Sequence, residues 1–117
     1  MEQGKLFSVP SGAVASVKII DTTSKIGNLL VEFLMEPPVQ GFQYMEDLPS
    51  WSFLVESVSG RRALFDLGIP KDWQNLAPTV VKLLIDRGWD VSAQKNTSEI
   101  LEENGYKLDS IGSIIWR

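Results

Sequence analysis

Two residue types are missing from this 117-residue chain altogether: it has no cysteine and no histidine. The first absence excludes disulfides, thiolate nucleophiles and zinc–sulfur centres. The second removes the commonest general base and the commonest metal ligand, so any chemistry must rest on carboxylates, hydroxyls, lysines or backbone groups. Such groups carry meaning only as a specific cluster, and none stands out. No run of 18 apolar residues occurs, and the opening MEQGKLFSVPSG carries an acid at Glu2 and no continuous hydrophobic segment. Neither a membrane span nor a secretory signal is expected, which makes the cytoplasm the default location. A basic block is lacking too. The net charge of -4 and the pI near 4.7 come from a mixed surface, which argues against nucleic acid or an anionic membrane as partner.

What is present is the composition of a folding chain, with 44% apolar and 22% charged residues and a length that suits one domain, or part of a larger one. AVASVKIID (residues 13–21) is β-branched and alternates Val14, Ser16, Lys18 and Ile20 against Ala15, Val17 and Ile19, the pattern of a strand. NLLVEFLM (28–35) suits either a second extended piece or a buried helical turn, and Pro37 and Pro38 end it. PPVQGFQYMEDLPS reads as an irregular connection anchored by Phe42 and Tyr44. WSFLVES and RALFDLG flank a short polar loop in which Gly60 can take a positive φ, which predicts a β-hairpin. Trp51, Phe53 and Val55 then share one face, as do Ala63, Phe65 and Leu67, while Leu54 and Leu64 lie on the reverse, so both faces of the hairpin call for a cover.

Pro78, the stripe Val80, Leu83 and Leu84, and Gly88 as stop predict a helix over 79–87 packed on one face of the sheet. Asn96 and Glu99 stand at capping-box spacing before a short second helix that Gly105 ends. SIGSIIW returns as a strand. The expected class is α/β, with a mixed β-sheet, a β-hairpin and two helices.

These pieces, in this order, resemble the N-terminal half of a metallo-β-lactamase-fold hydrolase, nearest the fungal and bacterial lactonase-like branch. The matching stretches are LFSVPSGAV, LPSWSFLVES followed by SGRRALFDLGIPKDWQNLAP, and ILEENGYKLDSIGSIIW. The resemblance implies half of a four-layer αββα sandwich, with residues 1–117 as one partial domain. FDLG (65–68) falls where the family has its strand-end Asp-x-Gly, and IIW falls on the strand that runs into the family's His-x-His-x-Asp-His metal motif, which this chain does not contain.

The family's chemistry relies on zinc or another divalent metal that activates water against a polarised carbonyl. With no histidine, none of those ligands carries over, and no metal or other cofactor is expected for this chain alone. Residue-by-residue transfer leaves Asp66, with Gly68 beside it, as shaping a loop next to the metal without binding it. A strand-end acid hydrogen-bonded to nearby backbone amides is the favoured reading of the same residue.

Other residues invite roles. Lys71, Asp72 and Trp73 follow the Gly-Ile-Pro turn and could line a substrate mouth, although an ordinary loop with an anchoring tryptophan explains them better. Glu99, Glu102, Glu103 and Asp109 read as a solvated face, since adjacent helical residues point about 100° apart. The four tryptophans Trp51, Trp73, Trp89 and Trp116 lack even spacing or basic interleaving and are read as core. The serine at position 8 in SVPSG has no partner base.

The expected function is a truncated hydrolase of this superfamily, inactive as the isolated chain, whose parent performs metal-dependent ester or lactone hydrolysis. The alternative is a non-catalytic α/β interaction module that completes its fold with a complementary half or by self-association.

Overall fold

A computed structural model of the protein describes residues 11–116; the serine at position 8 lies outside them. Five strands form one mixed sheet in the order β4-β1-β2-β3-β5. Strand β1 (Ala15–Gly27) pairs antiparallel with β2 (Leu48–Ser57) from Ala15 opposite Ser57 to Ile26 opposite Leu48. It is longer than its alternating pattern implied, because the register shifts between Asp21 and Lys25 and lets the strand bend onward to β4 (Asp90–Ser92). Thr23 sits in that bulge with φ +61°, and its hydroxyl accepts the Lys95 amide at 2.9 Å, tying the bend to the segment before the last helix.

The hairpin forms as expected. Strand β3 (Arg62–Phe65) lies antiparallel to β2 with Phe53 opposite Phe65 and Leu54 opposite Leu64, and Gly60 turns at φ +84°. Strand β5 (Ile111–Ile115) then lies parallel to β3 after a long crossover. Residues 28–35 resolve the other way from a strand: Val31–Phe33 is a 3-10 turn, with Val31 and Leu29 buried. The connection that follows is irregular, as expected. Its anchors are backbone bonds, Val31 N–H to the Gln43 carbonyl at 2.9 Å and Met45 N–H to the Leu29 carbonyl at 2.8 Å, while the Phe42 and Tyr44 side chains are exposed.

Helices α1 (Pro78–Asp86) and α2 (Thr97–Glu103) stand where the caps placed them, with Gly88 at φ +67° and the Glu99 carboxylate accepting the Asn96 amide at 3.0 Å. One expectation about them fails. The core unites Ile20, Leu54 and Leu64 of the sheet with Leu101 of α2, so α2 is the helix that covers the sheet. In α1 only Leu84 is buried, while Val80 and Leu83 are 42% and 47% exposed. The stripe is real, but the element this helix chiefly meets is the 3-10 turn Trp73–Asn75, and its side chains are not part of the sheet core.

Among the described residues no layer covers the opposite face of the sheet. Register puts Val17, Ile19, Trp51, Phe53, Val55, Ala63, Phe65 and Ile115 on it, and Ile19 and Ile115 are 68% and 52% exposed. The tryptophans also depart from expectation: Trp51 and Trp116 are exposed and Trp73 and Trp89 half-buried, because the layer able to enclose them is not among the described residues. A slab 23 Å thick with a radius of gyration of 18.3 Å follows, against about 13 Å for a compact chain of 100 residues. No helix among the described residues is long and apolar enough to cross a membrane.

Candidate functional site

Parallel neighbours end at the same sheet edge, and in α/β sheets ligands favour the crevice beyond the carboxyl ends of such strands. Here β3 and β5 are the parallel pair, so the edge in question carries residues 66–71 after β3 and Trp116 after β5. A cavity of about 310 Å³ opens there, lined by Leu67, Gly68, Pro70, Leu76, Thr97 and Trp116 among others.

The 66–71 loop is held at unusual density. Asp66 adopts φ +60°, a left-handed conformation uncommon outside glycine, and its amide donates to the Ile115 carbonyl at 2.9 Å, extending the parallel pairing by one residue. The Ser52 hydroxyl, fully buried on β2, donates to the Asp66 carbonyl at 2.5 Å and lies 3.1 Å from that of Phe65. Thr97, the first residue of α2, donates to the Leu67 carbonyl at 2.5 Å. Ser24 accepts the Ile69 amide at 3.2 Å, and Asn96 accepts the Lys71 amide at 2.8 Å. Beneath the loop, Thr22 bonds the Ser24 hydroxyl and the Ser50 carbonyl, each at 2.6 Å. Gly68, at φ +68°, rests directly on Thr22: a Cβ there would fall 2.7 Å from the Thr22 Cβ and Oγ1. Buried hydroxyls are costly unless paired, and no buried side-chain polar atom among the described residues lacks a partner.

The structure separates the residues singled out from sequence. Asp66 and Gly68 lie at the edge where β3 and β5 end. Lys71 ends the loop and Asp72 and Trp73 follow it, but none of the three lines the cavity. Lys71 instead pairs with Glu99 at 2.5 Å, Asp72 accepts the Asn75 amide at 2.8 Å, and Trp73 begins the 3-10 turn. Glu99 is not merely solvated: the Lys71 ammonium, and then the Asn96 amide, hold its carboxyl below the ordinary 4.5. Glu103 pairs with Lys95 at 2.6 Å. The hydroxyls of Ser24, Ser52 and Thr97 were not foreseen. Ser52 offers the one local clue, a polar residue two positions from Leu54 on the face that becomes core.

Fit to a metal can be judged from the donor set. Zinc sites take three or four nitrogen, sulfur or carboxylate donors, yet the chain has no histidine or cysteine, and no group of three potential ligands exists among the described residues. Asp66 is the acid of the 66–71 loop nearest the strand ends, and one carboxylate does not make such a site. The residues present do not fit a zinc ion.

Sequence comparison relates the chain to named hydrolases. The chain is 37% identical over 111 residues to a protein named gamma-lactamase FDB1 from Fusarium pseudograminearum, an alignment covering 91% of this chain and 27% of that protein. It is 31% identical over 115 residues to metallo-hydrolase mfmC of Annulohypoxylon moriforme, covering 94% of this chain and 29% of that one. By sequence the chain is related to proteins named as a lactamase and a metallo-hydrolase. It spans about a quarter of the length of these relatives. A protein of Penicillium roqueforti named cytochrome P450 monooxygenase mpaDE matches at 31% over 111 residues, but only 13% of its length is involved. No family model matches the chain, and no solved structure does.

Proposed function

We propose that this chain is the sheet-bearing part of a metal-dependent hydrolase that opens a cyclic amide or ester, and that alone it is inactive. The observation that carries the reading is the pinned 66–71 loop at the common carboxyl edge of β3 and β5, in a chain whose relatives are named gamma-lactamase and metallo-hydrolase. In this reading the chain contributes the scaffold, the loop carrying Asp66 and Gly68, and one wall of the substrate cavity through Trp116 and Leu67. The metal-binding groups come from outside it.

The test is a graft. This sequence replaces the aligned stretch of the Fusarium gamma-lactamase, and the chimera is assayed for γ-lactam opening with zinc present. Turnover above that of an enzyme lacking the stretch is expected. A folded, zinc-loaded chimera without turnover overturns the reading.

The bare sheet face supports a second reading, that the chain acts as an interaction module. Eight apolar side chains in register, from Val17 to Ile115, form a surface suited to a second sheet, supplied by a complementary half or by another copy. Loss of activity in the graft together with a stable, saturable dimer of the isolated chain favours this alternative.

A further inference from the structure

We propose that Thr97 and Ser52, aided by Ser24, are positioning residues that preset the 66–71 loop as one unit. The inference rests on the hydrolase reading only for the purpose of the loop; the clamp itself is a matter of geometry.

Five backbone groups of this short loop are tied to four different elements. The Asp66 amide goes to β5 and the Asp66 carbonyl to Ser52 on β2. The Leu67 carbonyl and the Lys71 amide go to Thr97 and Asn96 at the start of α2, and the Ile69 amide goes to Ser24 on β1. A segment needing only to satisfy its polar groups at a surface could use water. Here buried hydroxyls reach in from opposite sides, Ser52 from the sheet and Thr97 from the covering helix, and take the carbonyls of consecutive residues. The first of these, Asp66, is in its left-handed conformation, and two residues on Gly68 is seated against Thr22. Strained backbone persists where the surroundings over-determine it, and such places cluster at sites where a rigid geometry is used. Two hydroxyls on consecutive carbonyls leave the turn no hinge, so the edge beside β5 is preorganised before any ligand arrives.

Thr97 offers a clean perturbation, because Thr97→Val keeps the side-chain shape and removes the hydroxyl, while Thr97→Ser keeps the hydroxyl. The readout is hydrogen exchange of the full chain by mass spectrometry with electron-transfer fragmentation, which resolves single amides in peptides that cover residues 66–71 and, as a control, residues 50–56. Thr97 bonds none of the Asp66, Ile69 and Lys71 amides. Faster exchange at all three therefore reports the loop moving as a unit. Thr97→Val is expected to speed exchange in 66–71 about tenfold or more while 50–56 is unchanged, and Thr97→Ser to match the unsubstituted chain.

The proposal is overturned if Thr97→Val leaves the loop unchanged, if Thr97→Ser is as fast as Thr97→Val, or if the acceleration is equal in the control peptide. Should Thr97→Val not fold, Ser24→Ala decides by the same criterion, read at the Asp66 and Lys71 amides that Ser24 does not touch. Exchange is measured without turnover, so failure of the hydrolase reading does not alter this result.

Discussion

Replacing Gly68 by alanine tests the seating of the 66–71 loop, and its cost has two separable parts. At φ +68° an L-residue pays roughly 1–2 kcal/mol for the left-handed conformation. The new Cβ also lands 2.7 Å from the Cβ and Oγ1 of Thr22 and 2.9 Å from its Cγ2. Thr22 cannot swing aside: it is buried within β1, and its hydroxyl is bonded to Ser24 and to the Ser50 carbonyl. Overpacking of that kind costs about 1–3 kcal/mol. Gly68→Ala should therefore destabilise by about 2–5 kcal/mol, a large share of the roughly 5–15 kcal/mol typical of a domain. Gly88 is the internal control, since it has φ +67° and nothing within 4 Å of its Cβ position; its alanine variant pays the backbone part alone. Urea unfolding of both variants at one protein concentration gives the difference, expected at about 1–3 kcal/mol in favour of Gly88→Ala. Equal losses, or a larger loss at Gly88, would refute the packing of the loop on Thr22.

Leu64→Ala, in the core shared with Ile20, Leu54 and Leu101, should cost about 2–5 kcal/mol, whereas Ile19→Ala on the bare face should change stability by less than about 0.5 kcal/mol; equal effects would place the core on the wrong side of the sheet. The lowered pKa of Glu99 means that its pairing with Lys71 contributes stability above the ordinary 4.5 and loses it as pH falls through the lowered folded value. Unfolding midpoints measured between about pH 5 and pH 3 should fall less steeply for Glu99→Gln, and by a small amount, because both partners are well exposed; an unchanged slope would remove the pair from the account. Each large apolar side chain left in water forgoes about 1.5–3 kcal/mol, so the isolated chain should self-associate and bind hydrophobic dye, and Ile19→Lys with Trp51→Lys should suppress both. A monomer across a wide concentration range in sedimentation, without dye binding, would contradict this.

Local rules reached as far as local physics extends. Alternation in β2 and β3 with Gly60 between them announced the hairpin, and Gly88 and the Asn96–Glu99 pair announced the helix ends, because each depends on a few neighbouring residues. What went wrong or unseen depends on residues far apart in the chain. The stripe Val80, Leu83 and Leu84 shows a helix with an apolar side, but nothing nearby states that α2 will take the place on the sheet. The three-residue strand Asp90–Ser92 has too little pattern to read and exists because the bulge in β1 brings it a partner. The loop clamp draws on positions 22, 24, 52 and 97, which no periodicity connects. Asp66 was legible as a place, through its resemblance to a strand-end Asp-x-Gly, while its left-handed backbone and the hydroxyls that hold it were not.

If, as proposed, this chain supplies the pinned loop of a hydrolase site while the metal ligands come from elsewhere, the chain by itself should hold no zinc. Calorimetric titration of the purified chain with zinc reads this out. No binding event in the micromolar range is expected, because the carboxylates among the described residues do not assemble the three or four donors a tight zinc site needs. Stoichiometric zinc binding, abolished by Asp66→Ala, would contradict that expectation.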